Sequence, residues 1–142
     1  MNHLVFLHPK ELAKILAGTK VVESRLWKTA RHPCRYALVG DRLYFKATGG
    51  DVQGCSLVQA IEAFHELTPT DIPRLAQQFA AAMACAVDDP YWYEKRFSRE
   101  ARFFSLTLVR AWHIPAQVLP RGVRIGWVAD WTPPAAFRPD RL

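Results

Sequence analysis

Residues 18–25 read Gly-Thr-Lys-Val-Val-Glu-Ser-Arg, which sets a lysine, a glutamate and an arginine close together behind a glycine. Lys20 carries a compact, flexible point charge suited to a phosphate or a base oxygen. Arg25 offers a planar fork that grips phosphate bidentately or stacks on a base. On a strand, Glu23 and Arg25 share a face, so the acid either orients the guanidinium or accepts from a base amino group. Gly18 lets the backbone leave a helix with positive φ and pass close to a ligand. Strict alternation sets Lys20 on the opposite face, so convergence of all three requires a bend at the strand start. A lysine beside a carboxylate also suits a general base or nucleophile, provided burial lowers its pKa. The plainer alternative is an exposed charge ladder worth about 0–1 kcal/mol.

Aromatic residues interleaved with cations suggest a second function. Trp27, Tyr91, Trp92 and Tyr93 stand beside Lys28, Lys95 and Arg96. Bases stack on such rings while cations hold the backbone, at about 1–3 kcal/mol per stacked base. Core packing explains any one ring equally well, but Tyr93 is the best candidate for ligand contact because its neighbours are charged. Lys46, sharing a strand face with Tyr44, adds a charge to the floor of the same cleft.

The charge distribution has a direction. The 142 residues carry a formal net charge of +6. Residues 20–35 hold Lys20, Arg25, Lys28, Arg31 and Arg35 against Glu23 alone, whereas Glu62, Glu66, Asp71, Asp88 and Asp89 share residues 62–89 with only Arg74. One basic end favours polyanionic partners such as RNA. Cys34, Cys55 and Cys85 are widely spaced and the five histidines do not cluster, so neither a metal site nor a disulfide framework is expected, and no cofactor is implied. No apolar run is long enough to span a membrane, and the first residues do not read as a signal peptide, giving a cytoplasmic address by default.

The elements that must position these residues follow from period and punctuation. Residues 4–7 predict a strand, and Pro9 and Glu11 open a short helix that Gly18 stops. Strands are expected over 21–27, 42–47 and 52–64, with a polar loop over 28–40 and a tight turn at Gly49-Gly50-Asp51. Thr68-Pro69-Thr70-Asp71 opens a second helix, whose stripe runs through Ile72, Leu75, Ala76, Phe79 and Met83. Residues 91–96 predict one helical turn, and 102–112 and 123–131 two late strands. A proline-rich tail from about residue 132 either docks on a protein partner or straps the domain. The expectation is one α+β domain over 1–142, a small mixed β-barrel of five to six strands with two main helices.

The string Gly18-x-Lys20-x-x-Glu23-x-Arg25 resembles the signature of ASCH domains, a branch of the PUA-like superfamily. The surrounding order is similar too: a short helix before the glycine, a strand after the lysine, then Gly40-Asp41 and an apolar strand. The likeness spans roughly residues 4–131. It implies a PUA-like barrel that binds RNA or a nucleotide-like ligand through Gly18, Lys20, Glu23 and Arg25, to which the aromatic and cationic pattern adds Trp27, Lys46, Tyr93 and Lys95. Some members are hydrolases of acylated cytidine or of RNA, in which case Lys20 and Glu23 would be catalytic. The amidohydrolase members carry threonine where Glu23 stands, and their second carboxylate has no clear counterpart here.

Overall fold

The computed structural model describes residues 1–29, 31–121, 123 and 126–139. Strand β1 (Asn2–Leu7) leads into helix α1 (Pro9–Leu16), which opens as expected with proline in its first turn and His8 Nδ1 capping the Lys10 amide. Strand β2 (Val22–Trp27) follows the glycine, and β3 (Arg42–Ala47) and β4 (Val52–Phe64) form a hairpin. Helices α2 (Ile72–Phe79) and α3 (Pro90–Glu94) precede β5 (Glu100–Leu106), β6 (Arg110–Ile114) and β7 (Trp127–Val128).

The strand expected over 102–112 is two strands. Thr107 interrupts it, donating its amide to Leu57 O while its hydroxyl accepts from the Leu57 amide. Both pieces pair with the long strand β4. The strand expected over 123–131 reduces to two residues, and residues 124 and 125 lie outside those described. The 28–40 loop contains a short 3-10 turn at Pro33–Tyr36.

The strands make one mixed sheet in the order β2-β5-β4-β3-β1-β7, with β6 against β4. Among the described strands, only β1 and β3 pair in parallel. The class is α+β, with seven strands and three helices among the described residues rather than five to six and two. Register shifts at Phe45/Lys46 and Val58/Ala60 curl the sheet, as bulges do. The curl does not close into a barrel among the described residues, because β2 and β7 are not paired with each other. That open seam is where the candidate site residues gather.

Three apolar clusters hold the sheet. The inner one joins Val5, Leu43, Phe45, Val58, Phe104 and Trp127 to Leu12 and Ile15 of α1. Phe79 of α2 stacks on Phe103 at 3.8 Å, and Leu75, Met83 and Trp92 complete a second cluster over β2 and β5. The third lies under the tail, where Trp131 meets Tyr44 edge-on at 5.4 Å and Trp112 Nε1 donates to Phe137 O at 2.9 Å. Residues 131–137 therefore strap the sheet, and residues 140–142 lie outside those described. No described helix is long and apolar enough to cross a membrane.

The Gly40-Asp41 turn is pinned by charge. Asp41 accepts from His3 Nε2 at 2.8 Å, the Leu38 amide at 2.9 Å and the Met1 ammonium at 3.1 Å. His3 Nδ1 in turn accepts from the Trp127 indole at 3.2 Å, so the ring proton lies on Nε2 and points at Asp41. Burial alone would raise the Asp41 pKa, but these donors outweigh it and hold the carboxyl below its usual 3.8. A depressed folded-state pKa stabilises the fold above the unfolded value and is lost as pH falls through the folded one. Asp41→Asn is therefore expected to flatten the fall in urea midpoint below about pH 4.

Candidate functional site

The backbone bend that convergence requires is present. Gly18, at φ +78°, closes α1, and the Thr19 and Lys20 amides both donate to Lys14 O. The Val21 and Val22 amides then share Ala82 O at 2.9 and 3.2 Å. These contacts turn Lys20 onto the face that carries Glu23 and Arg25 before β2 begins. Lys20, Glu23, Arg25, Trp27 and Lys95 all line one cleft of about 470 Å³, together with Glu11, Ser24, His32, Asp89 and Tyr91.

At its floor runs a chain of alternating charges. Lys20 Nζ donates to Glu11 Oε2 at 2.9 Å and stands 3.3 Å from Glu23 Oε2, while Lys14 Nζ donates to Glu11 Oε1 at 3.2 Å. Lys20 is 4% exposed and Glu23 3%. Burial alone would lower the Lys20 pKa, but the Glu23 and Glu11 carboxylates more than offset it and raise it above 10.5. The ammonium is thus fixed in its charged form, which removes the condition for lysine as a base or nucleophile. Glu23 Oε2 has the ion pair but no hydrogen-bond donor.

Arg25 is engaged by backbone carbonyls at the edge of the cleft. Its Nη2 donates to Phe6 O at 3.0 Å and its Nη1 to Gly126 O at 3.4 Å, with Nε 3.5 Å from Glu23 Oε1. Phe6 belongs to β1 and Gly126 precedes β7, so the guanidinium bridges the seam that strand pairing leaves open. Trp127 lies beneath it at 5.4 Å.

The walls are aromatic and uncharged. Tyr91 OH and Ser24 Oγ share a 2.9 Å hydrogen bond, and burial first of all pushes the phenol up to about 12. His32 packs on Trp27 at 5.2 Å; burial, with the cations of Arg25, Lys95 and Arg35, drives its pKa down to about 4. It is neutral at neutral pH. Trp27 Nε1 is buried without a hydrogen-bond partner among the described residues. Burial also pushes the Cys34 thiol up to about 12, which leaves it inert as a nucleophile.

Three expected residues lie elsewhere. Gly18 does not line the cleft, and a Cβ there would meet nothing within 4 Å, so its positive φ serves the helix stop rather than ligand approach. Tyr93 is 69% exposed with the Arg96 guanidinium 3.8 Å over its ring, because the single turn of α3 directs Tyr91 inward and Tyr93 outward. Lys46 opens into a separate cavity across Phe6. The cleft is also less basic than the local sequence suggests: Lys20, Arg25 and Lys95 face Glu11, Glu23 and Asp89. Glu11, Ser24 and His32 escaped sequence reading as site residues, while Tyr91 stands among the aromatic candidates but behind Tyr93. Glu11 satisfied a helix N-terminus, and Tyr91 differs from Tyr93 only by the phase of one helical turn.

The fold has counterparts among solved structures. The ASCH protein of Zymomonas mobilis superposes with a TM-score of 0.62 at 19% identity, covering 80% of this chain and 73% of that one. A variant of that protein with one tyrosine replaced by phenylalanine gives 0.64 at 14% identity, covering 90% and 88%. The chain has the ASCH fold. A serine-to-alanine variant of the same Zymomonas protein agrees, at 0.61 and 17% identity over 82% and 75%. No family model matches the chain, and no curated protein matches it significantly. Within this ASCH fold the cleft occupies the seam between β1 and β2, with α1 and α3 as its lips.

Proposed function

We propose that the cleft holds a nucleotide-like ligand, free or as one nucleotide of RNA, with its base edge against Lys20 and Glu23. The observation that carries this reading is the buried pair itself. Glu23 Oε2 lacks a donor while the charged Lys20 beside it has N–H groups to spare. A donor next to an acceptor complements the amide or amidine edge of a nucleobase. Desolvated polar groups of this kind are costly unless a partner completes them. The cleft volume suits a ligand of nucleoside size, and Trp27, His32 and Tyr91 supply apolar walls.

Because cations and carboxylates balance inside the cleft, recognition of the base is expected to depend little on salt. RNA would add a salt-dependent term through cations outside it. Lys28 Nζ and the Arg96 guanidinium flank the exposed ring of Phe97 at 5.7 and 4.6 Å, next in sequence to Trp27 and Lys95. The same pair also suits hydrolysis with Glu23 as the base and Lys20 steadying developing negative charge, a reading favoured by the uncommitted Glu23 oxygen.

Calorimetric titration with the four ribonucleosides, acetylated cytidine and a short single-stranded RNA tests the proposal. Saturable binding of at least one nucleoside is expected, weakened at least about tenfold in Glu23→Gln by loss of a charge-assisted bond. Absence of binding by all of them would remove the reading, and product release from acetylated cytidine or RNA would add turnover to it.

A further inference from the structure

A second cavity, of about 540 Å³, lies across Phe6 from the cleft and is lined by Lys46, Thr48, Gly49, Gln117 and Arg121 among others. We infer that it is an anion site taking a phosphate-class oxyanion on Lys46 Nζ. The lysine is 3% exposed, yet among the described residues it makes no hydrogen bond and no ion pair. Its ammonium lies against the Phe6 ring, 4.8 Å from Nζ to the centroid. The nearby carboxylate, Asp51, is already engaged by His113 Nε2 and the Ala116 amide, both at 2.8 Å.

An ammonium whose stem is buried and whose head opens only into this cavity has little choice of acceptor, so an anionic ligand is the natural completion of the site. The strand geometry aims the side chain there: Lys46 follows Tyr44 on the same face of β3, opposite Phe6 of β1, and the register shift beside it leaves Gln53 of β4 without a partner in β3. Among the described residues no carboxylate lines the cavity. Arg121 brings a second cation, and Thr48 and Gln117 bring a hydroxyl and an amide without partners among the described residues. Two cations with neutral donors fit a phosphate oxyanion better than a carbonyl or a cation. Burial dominates the lysine's electrostatics and lowers its pKa despite Asp51, as an incomplete site requires.

The test uses the intact chain with inorganic phosphate against chloride at fixed ionic strength, read by thermal unfolding. Phosphate is expected to raise the midpoint saturably in the native protein, because a ligand bound only to the folded state stabilises it by mass action. Lys46→Met keeps the packed stem, so it should equal or exceed the native midpoint in chloride and lose the phosphate response. An equal phosphate response in both proteins, or none in the native one, overturns the assignment. Should Lys46→Met fail to fold, Arg121→Ala replaces it, and an unchanged phosphate response there is equally fatal. A 5′-nucleotide whose advantage over its nucleoside disappears in Lys46→Met would make the anion part of the cleft ligand; purely additive nucleoside and phosphate effects would make it a separate one.

Discussion

Arg25→Ala is expected to lower the unfolding free energy by about 3 kcal/mol and to abolish binding in the cleft. The guanidinium is the connection between β2 and the β1–β7 side where backbone pairing is absent among the described residues, through Phe6 O and Gly126 O. Truncation leaves the Phe6 carbonyl short of a donor and the buried Glu23 carboxylate without one of its two cations, while Gly126 O keeps only the Phe6 amide. Arg25→Lys keeps the charge but cannot span two carbonyls and a carboxylate with one ammonium, so it should recover less than half of the loss. Urea unfolding of the three proteins measures the effect. A loss under about 0.5 kcal/mol would reduce Arg25 to an ordinary surface charge.

Lys20→Met is expected to cost about 3–5 kcal/mol at neutral pH, since it strands Glu23 and Glu11 without their shared ammonium. The native Lys20 pKa is raised, so its contribution is full below 10.5 and lost only as pH climbs through the higher folded value. The variant should behave in the opposite sense at low pH. Without the ammonium, burial raises the Glu11 carboxyl that Lys20 had held down, so the deficit shrinks as pH falls from about 7 to about 5. Denaturant midpoints at both pH values read this signature. A deficit independent of pH would mean that Lys20 acts through packing rather than through its charge.

Much of the architecture was legible because period and punctuation agree with tertiary packing. The 52–64 strand and the Pro9 helix formed where alternation or helical spacing placed them, while the helix expected to open at Thr68 and run through Met83 is confined to Ile72–Phe79 behind Asp71. The late strands were not legible, because Thr107 breaks the ladder with its hydroxyl rather than with a glycine or proline. The open seam was hidden as well, since its closure uses an arginine side chain in place of a strand. Within the site, local spacing reached Lys20, Glu23 and Arg25 but could not reach Glu11, which arrives from another element nine residues earlier. Tyr91 and Tyr93 are chemically equivalent on paper; only the direction of α3 separates a cleft wall from a surface ring. Lys46 shows the reverse case: it keeps the strand face that alternation gave it, but Phe6 of the neighbouring strand β1 divides that side from the cleft.

The most direct test is a crystal of the protein grown or soaked with whichever ribonucleoside binds in solution. Density for the base should stand within hydrogen-bonding reach of Lys20 Nζ and Glu23 Oε2, with Tyr91 or Trp27 against a ring face. A nucleoside lodged elsewhere, with the Lys20–Glu23 floor left untouched, would contradict the account.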